Sequence, residues 1–149
     1  MSIYSDGACL SNPGPGGYCA ILTYKKTEKI VSGGDPGTTN NRMELLAVIS
    51  ALEAVKTGED CEVDIYTDSK YVVDGIEKGW AESWRRRGWI KSNKEPALNP
   101  DLWERLLGEI ARLKKNVKFI WIKGHNGYIY NERCDKIARK IAEGYKNGP

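Results

Sequence analysis

Four acidic residues stand where predicted elements begin or end: Asp6 in a first strand, Glu44 in the first turn of a first helix, Asp68 at the end of the strand EVDIYT, and Asp135 in a last helix. Taken singly, most have ordinary explanations. Glu44 could complement a helix dipole, and Asp68, followed by Ser69, could cap the next helix. Asp135 is harder to dismiss, because it precedes Ala138 and Ala142 by three and seven residues and so sits at the edge of an apolar stripe, its carboxylate leaning toward the sheet. If the strands carrying Asp6 and Asp68 are neighbours, their carboxylates converge near one end of the sheet, with Glu44 and Asp135 reaching in from helices. Carboxylates that close raise one another's pKa unless a cation intervenes, and an all-oxygen acidic site suits Mg²⁺ or Mn²⁺ rather than Zn²⁺.

Two further features carry chemistry. His125 is the one histidine in the chain. A lone histidine is more often structural or exposed than catalytic, but this one lies between Gly124 and Gly127, and its ordinary pKa suits proton handling near neutrality. The second feature is a concentration of charge at residues 80–94. There Arg85, Arg86, Arg87, Lys91 and Lys94 face the single acid Glu82, an excess larger than the +3 of the whole chain. An ordinary solvated face would look similar, yet Trp80, Trp84 and Trp89 interleave the charges and make a handle with an apolar root and a cationic tip, suited to a duplex backbone.

The elements that must position these groups follow from periodicity and punctuation. Strands are expected over residues 1–8, 17–25 and 29–34, with a tight hairpin connection at 11–17 and a second turn at Asp35-Pro36-Gly37. Leu45, Val48, Ile49, Leu52 and Val55 recur at helical intervals over 42–56, with Gly58 as the stop. A strand at 62–67 and a helix at 69–78 precede the basic segment. Asn99-Pro100 then reads as cap and first turn of a helix carrying Leu102, Leu106, Ile110 and Leu113, followed by a strand at 117–122 and a helix at 130–144. This order suggests a mixed sheet covered by helices, α/β or α+β.

At 149 residues, 40% hydrophobic and 29% charged, the chain fits one globular domain over 1–149, and neither disorder nor a membrane span is expected. Its apolar runs, such as residues 45–49, fall far below the ~20 residues a spanning helix needs. The start MSIYSDG lacks the features of a secretory signal. Cys9, Cys19, Cys61 and Cys134 are scattered without a C-x-x-C pair, so reduced, mostly buried thiols and a cytoplasmic location are expected.

The stretches Ser5-Asp6-Gly7-Ala8-Cys9, residues 12–17 (NPGPGG), residues 39–45 (TNNRMEL), Thr67-Asp68-Ser69, residues 84–89 (WRRRGW), and Lys123-Gly124-His125 followed by residues 131–135 (NERCD) resemble type 1 ribonuclease H of the bacterial kind. They occur in that family's order over almost the whole chain. The resemblance implies a ribonuclease H-like α/β fold with a five-stranded mixed sheet flanked by helices. It implies an endonuclease, a phosphodiester hydrolase that cuts the RNA strand of an RNA·DNA hybrid by two-metal-ion catalysis and leaves 3′-hydroxyl and 5′-phosphate ends, with two Mg²⁺ per site and Mn²⁺ as a substitute. Asp6, Glu44, Asp68 and Asp135 match the metal-binding carboxylates, and His125 takes an auxiliary role. No protein nucleophile is then required.

By the same resemblance Trp80, Trp84, Arg85, Arg86 and Arg87 form a basic protrusion, with Trp80 against the DNA strand, while Thr39 and Asn99 match a DNA-phosphate pocket. Cys9, Ser11, Asn12, Asn40, Asn41 and Lys70 match positions lining the minor groove, where the 2′-hydroxyl tells RNA from DNA; Cys9 is expected to act through its backbone. Glu44 could accept a 2′-hydroxyl hydrogen bond as well as bind metal. The chain departs from the family at Ser5, where threonine is usual, at Lys70, where glutamine is typical, and at Gly37, where a phosphate-binding arginine is often found. Tyr128-Ile129-Tyr130 replaces a more polar loop. A monomer without an additional N-terminal hybrid-binding domain is expected. Two other readings are a different nuclease or integrase of the superfamily, against which the basic, tryptophan-rich segment and the Asn40-Asn41 pair argue, and a catalytically silent hybrid binder. The latter would gain nothing from massing acids where phosphates must approach.

Overall fold

The computed structural model describes residues 1–56, 62–114, 116–124 and 128–146. Strands β1 (Ser2–Cys9), β2 (Gly14–Tyr24) and β3 (Thr27–Thr38) form an antiparallel meander, and α1 (Asn40–Glu53) leads to β4 (Val63–Thr67). Helices α2 (Lys70–Glu77), α3 (Trp80–Arg86) and α4 (Pro100–Leu113) follow, then β5 (Val117–Trp121) and α5 (Ile129–Lys146). The sheet order is β3-β2-β1-β4-β5, with β4 parallel to both β1 and β5.

Alternation along β2 shows why the sheet is covered on both faces. Ala20 and Leu22 join Ile3, Leu45, Val48, Ile49 and Trp103 in the larger core, while Cys19 and Ile21 turn the other way to meet Cys134 of α5. Helix α1 lies between the sheet and α4, so its buried positions run almost all round, from Met43, Glu44 and Leu45 to Ala51 and Leu52. Trp103 is completely buried, and its indole Nε1 donates to the Tyr71 hydroxyl at 2.9 Å. No helix of the described residues is long and apolar enough to cross a membrane.

Several boundaries differ from expectation, each for a physical reason. Residues 35–37 do not turn the chain. They lie within β3, where the register shifts between Gly14↔Thr38 and Gly16↔Asp35, and the missing N–H of Pro36 is tolerated because β3 is an edge strand. The connection after β1 is correspondingly shorter, with Gly14–Gly17 already in β2. Helix α1 starts two residues early because the Thr39 hydroxyl accepts from Arg42 N at 3.3 Å. Glu44 is thus beyond the first turn, which removes the helix-dipole explanation for it. The same helix ends at Glu53, before Gly58, which lies outside the described residues; Arg112 of α4 donates to Leu52 O at 2.9 Å and Val55 O at 3.3 Å, satisfying carbonyls at its end. Asn99 precedes α4 as expected, but in the left-handed conformation (φ 58°) and without a capping hydrogen bond, its side chain being engaged elsewhere.

Candidate active site

The site grows out of one register. Tyr4 of β1 pairs with Tyr66 of β4, and two residues further on stand Asp6, within β1, and Asp68, just past the end of β4, which brings the two carboxylates together. Glu44 comes from α1, which approaches β1 so closely that a Cβ on Gly7 would lie 2.6 Å from the Glu44 backbone nitrogen. Asp6, Glu44 and Asp68 each present an oxygen, all three within 4.8 Å of one another. Gly124 borders them, and a Cβ there would meet Asp68 Oδ2 at 2.8 Å. Asn131 of α5 ties the two strands together, its Nδ2 reaching Tyr66 O at 3.2 Å and Ser5 O at 3.5 Å. The 128–130 segment contributes too: Tyr130 stacks on Tyr4, which stacks on Tyr66, with centroids 4.6 and 5.1 Å apart.

The electrostatics of this trio are those of carboxylates crowded together and partly buried. Burial pushes the Asp6 carboxyl up to about 7, the charge of Asp68 pushes in the same direction, and a hydrogen bond with Glu44 pulls back. Burial, then the charges of Asp6 and Asp68, raise Glu44 well above the ordinary range. Glu44 Oε2 is buried and has no hydrogen-bond partner among the described residues. A buried carboxylate oxygen with nothing to accept from, beside two more carboxylates, fits a hard divalent cation.

Asp135 does not join the trio. It lines the same cleft, of about 640 Å³, but its Oδ1 accepts from Arg139 Nε at 3.0 Å. Cys9, Asn40, Asn41 and Lys70 also line that cleft. The Cys9 thiol is turned away to the carbonyls of Ser11, Gly14 and Thr38, at 2.7, 3.3 and 3.3 Å. Asn12 Oδ1 accepts from Asn40 N at 3.0 Å, linking the loop after β1 to the start of α1, and Ser11 is exposed beside it. The Lys70 ammonium sits 5.2 Å from the Trp121 ring, whose Nε1 donates to Asp68 O at 3.0 Å. His125 lies outside the described residues.

Thr39 and Asn99 are not among the residues that line the cleft, and both are held by Arg42, which sequence reasoning passed over. Arg42 forms a bidentate pair with Asp101, at 3.0 and 2.7 Å, and donates to Asn99 Oδ1 at 3.2 Å, while Asn99 Nδ2 donates to the Tyr71 hydroxyl at 3.1 Å. Arg139 was likewise unmarked, although its spacing of four residues from Asp135 is a helical pair.

On α3 the two tryptophans divide the work. Trp84 is half-buried and meets Trp103 edge-on with centroids 6.0 Å apart, whereas Trp80 is exposed, with the Lys78 ammonium 5.2 Å from its ring. Arg85 spends its guanidinium on Glu82 at 2.8 Å, and Arg86 lies 3.9 Å from the same carboxylate; Arg87 is exposed at the C-cap.

A family model described as RNase H matches residues 1–143. The ribonuclease H of Desulforamulus reducens is 58% identical over 143 residues, spanning 96% of this chain and 87% of that protein. Among solved structures, LC9-RNase H1, a type 1 RNase H with the type 2 active-site motif, superposes with a TM-score of 0.83 at 32% identity, covering 97% of this chain and 72% of that one. LC11-RNase H1, solved in complex with an RNA/DNA hybrid, superposes with a TM-score of 0.67 at 26% identity, covering 95% of this chain and 96% of that one. With a family model over residues 1–143 and a relative 58% identical over 96% of its length, this chain belongs to the ribonuclease H family.

Proposed function

We propose that this chain acts as a type 1 ribonuclease H, an endonuclease that hydrolyses the RNA strand of RNA·DNA hybrids and leaves 3′-hydroxyl and 5′-phosphate ends. The observation that carries the reading is the trio Asp6, Glu44 and Asp68, with oxygens within 4.8 Å, on the wall of a cleft that also holds Cys9, Asn40, Asn41 and Lys70. A similar protein solved with a hybrid bound supports the substrate class.

Asp6, Glu44 and Asp68 hold the cation and Asp135 completes its surroundings from α5, with Mg²⁺ as the ion and Mn²⁺ as a substitute. When bound, such ions supply an activated water and stabilise the leaving oxygen of an in-line displacement. The protein's part is to hold the hybrid in register. The backbone at Cys9, with Ser11, Asn12, Asn40 and Asn41, faces the minor groove, and Lys70 offers a cation beside the carboxylates. Glu44, adjoining both, couples a 2′-hydroxyl contact to the chemistry. Thr39 and Asn99 receive a DNA phosphate, and Trp80, Trp84 and Arg85–Arg87 position the duplex. His125 keeps the auxiliary role the resemblance implies. We place this activity in one domain over residues 1–149, working as a monomer in the cytoplasm, apart from any membrane.

The test is direct. The protein is incubated with labelled RNA·DNA, RNA·RNA, DNA·DNA and a DNA duplex carrying one ribonucleotide, each with Mg²⁺, Mn²⁺ or EDTA. Cleavage of the RNA strand of RNA·DNA alone among the uniform duplexes, abolished by EDTA, is expected. Comparable cutting of DNA·DNA, or cutting in EDTA, would overturn the proposal.

A further inference from the structure

The cleft wall formed by α5 carries a column of charge in which Asp135 is followed by two groups without a part in the hydrolysis, Arg139 one turn on and Glu143 one turn beyond that, all lining the cleft that holds the acidic trio. The Arg139 side chain is 60% exposed and that of Asp135 18%, with Nε and Oδ1 3.0 Å apart. The cation of this pair is therefore the mobile partner, on a long side chain in water. The Asp135 charge is felt at Asp6, so the fourth carboxylate belongs electrically to the cluster even though Arg139 holds it.

We infer that Arg139 competes with a divalent cation for Asp135 and so sets the metal affinity of the site. The inference rests on the metal reading proposed above. A guanidinium and a metal ion both seek the Asp135 oxygens, and the two positive charges repel across the same few ångströms. Glu143 gives the displaced guanidinium a second carboxylate on the same helix face at i,i+4 spacing, so release of Asp135 need not leave Arg139 unpaired. Arg139 is thus a positioning residue. It holds the fourth carboxylate in place and makes metal binding weaker than the bare acidic cluster would allow.

The experiment measures Mn²⁺ binding to the full chain without nucleic acid, by calorimetry and by the electron paramagnetic resonance signal of free Mn²⁺. Arg139→Gln is expected to bind Mn²⁺ about three- to tenfold more tightly than the parent, the range for removing a repelling charge and an exposed competing ion pair. Arg139→Lys keeps the charge and is expected to stay within about twofold. In an Asp135→Asn background the gain from Arg139→Gln should fall to the smaller part that charge repulsion alone supplies, since no carboxylate remains to compete for; an undiminished gain there also overturns the inference. A purely structural role predicts a lower melting temperature with unchanged affinity. Unchanged or weaker binding in Arg139→Gln, or a full gain in Arg139→Lys, overturns the inference. Arg139→Ala serves the same purpose if the glutamine variant fails to fold. Absence of any Mn²⁺ binding by the parent chain would instead overturn the metal reading itself, and this inference with it.

Discussion

Replacing Asp6 by Asn should stabilise the protein while removing its activity. Asp6 is 7% exposed, and its carboxyl is pushed from an ordinary 3.8 up to about 7 by burial and by Asp68. A carboxyl that binds its proton more tightly folded than unfolded leaves folding unaffected while protonated in both states and opposes it once charged. Its effect is therefore nil below about pH 4 and grows increasingly destabilising as pH rises toward 7. At ~1.4 kcal/mol per tenfold change in proton affinity, the ionised form works against folding by at most about 4 kcal/mol. That figure already includes the opposing hydrogen bonds from Gly7 N, at 2.9 Å, and from Glu44, and water in the open cleft screens the charge further. A net gain of about 2 kcal/mol in Asp6→Asn at pH 8.5 is expected, or a melting temperature higher by about 4–8 °C for a chain of this size. Thermal unfolding followed by circular dichroism, in EDTA at pH 4, 5.5, 7 and 8.5, reads this directly. The difference between variant and parent should be small at pH 4 and open through pH 7. Saturating Mg²⁺ should then narrow it by stabilising the parent alone. A variant no more stable than the parent at pH 8.5, or a gap independent of pH, would refute the electrostatic account of the site.

Asp68→Asn should abolish hydrolysis while leaving hybrid affinity equal or higher, because it removes a ligand and a repelling charge together; Mg²⁺-dependent turnover near parental rates in a gel assay would remove Asp68 from the site. Changing Arg85, Arg86 and Arg87 together to Ala should lower the slope of log K against log salt by about 1–2 rather than the ~2.7 of three unpaired cations, since Glu82 already holds Arg85. An unchanged slope would mark the cluster as ordinary surface. Trp84→Ala should destabilise the fold by about 2–4 kcal/mol through its lost contact with Trp103, and Trp80→Ala by under about 1 kcal/mol with weaker hybrid binding. Equal losses of stability in denaturant titrations would erase the distinction between root and tip.

What could be read along the chain was whatever local physics controls. Helical intervals in Leu45, Val48, Ile49 and Leu52 and the β-rich run of β4 act over a few residues, so α1, α2 and β4 were legible to within three residues, although the cap of α2 is Ser69, whose hydroxyl accepts from Val72 N at 3.2 Å, and not Asp68. The four carboxylates stood out for a similar reason, as acids at element ends or stripe edges, and the family motifs supplied their grouping. Local rules misled where a distant partner outbid them. Asp35-Pro36-Gly37 has turn chemistry but is taken into β3 by pairing with β2, and Asn99 is the right residue for a cap but gives its side chain to Arg42 and Tyr71. The convergence of Asp6 with Asp68 depends on β1 lying parallel to β4 in the Tyr4↔Tyr66 register, a contact across some sixty residues that no periodicity encodes. Tertiary structure alone also showed Asp135 paired with Arg139 on the wall of the cleft that holds the other three. Its i,i+4 spacing to Arg139 is visible in the sequence, but whether a carboxylate on that helix face turns to a neighbouring cation or to a cluster of like charges is decided by where the sheet places the cluster.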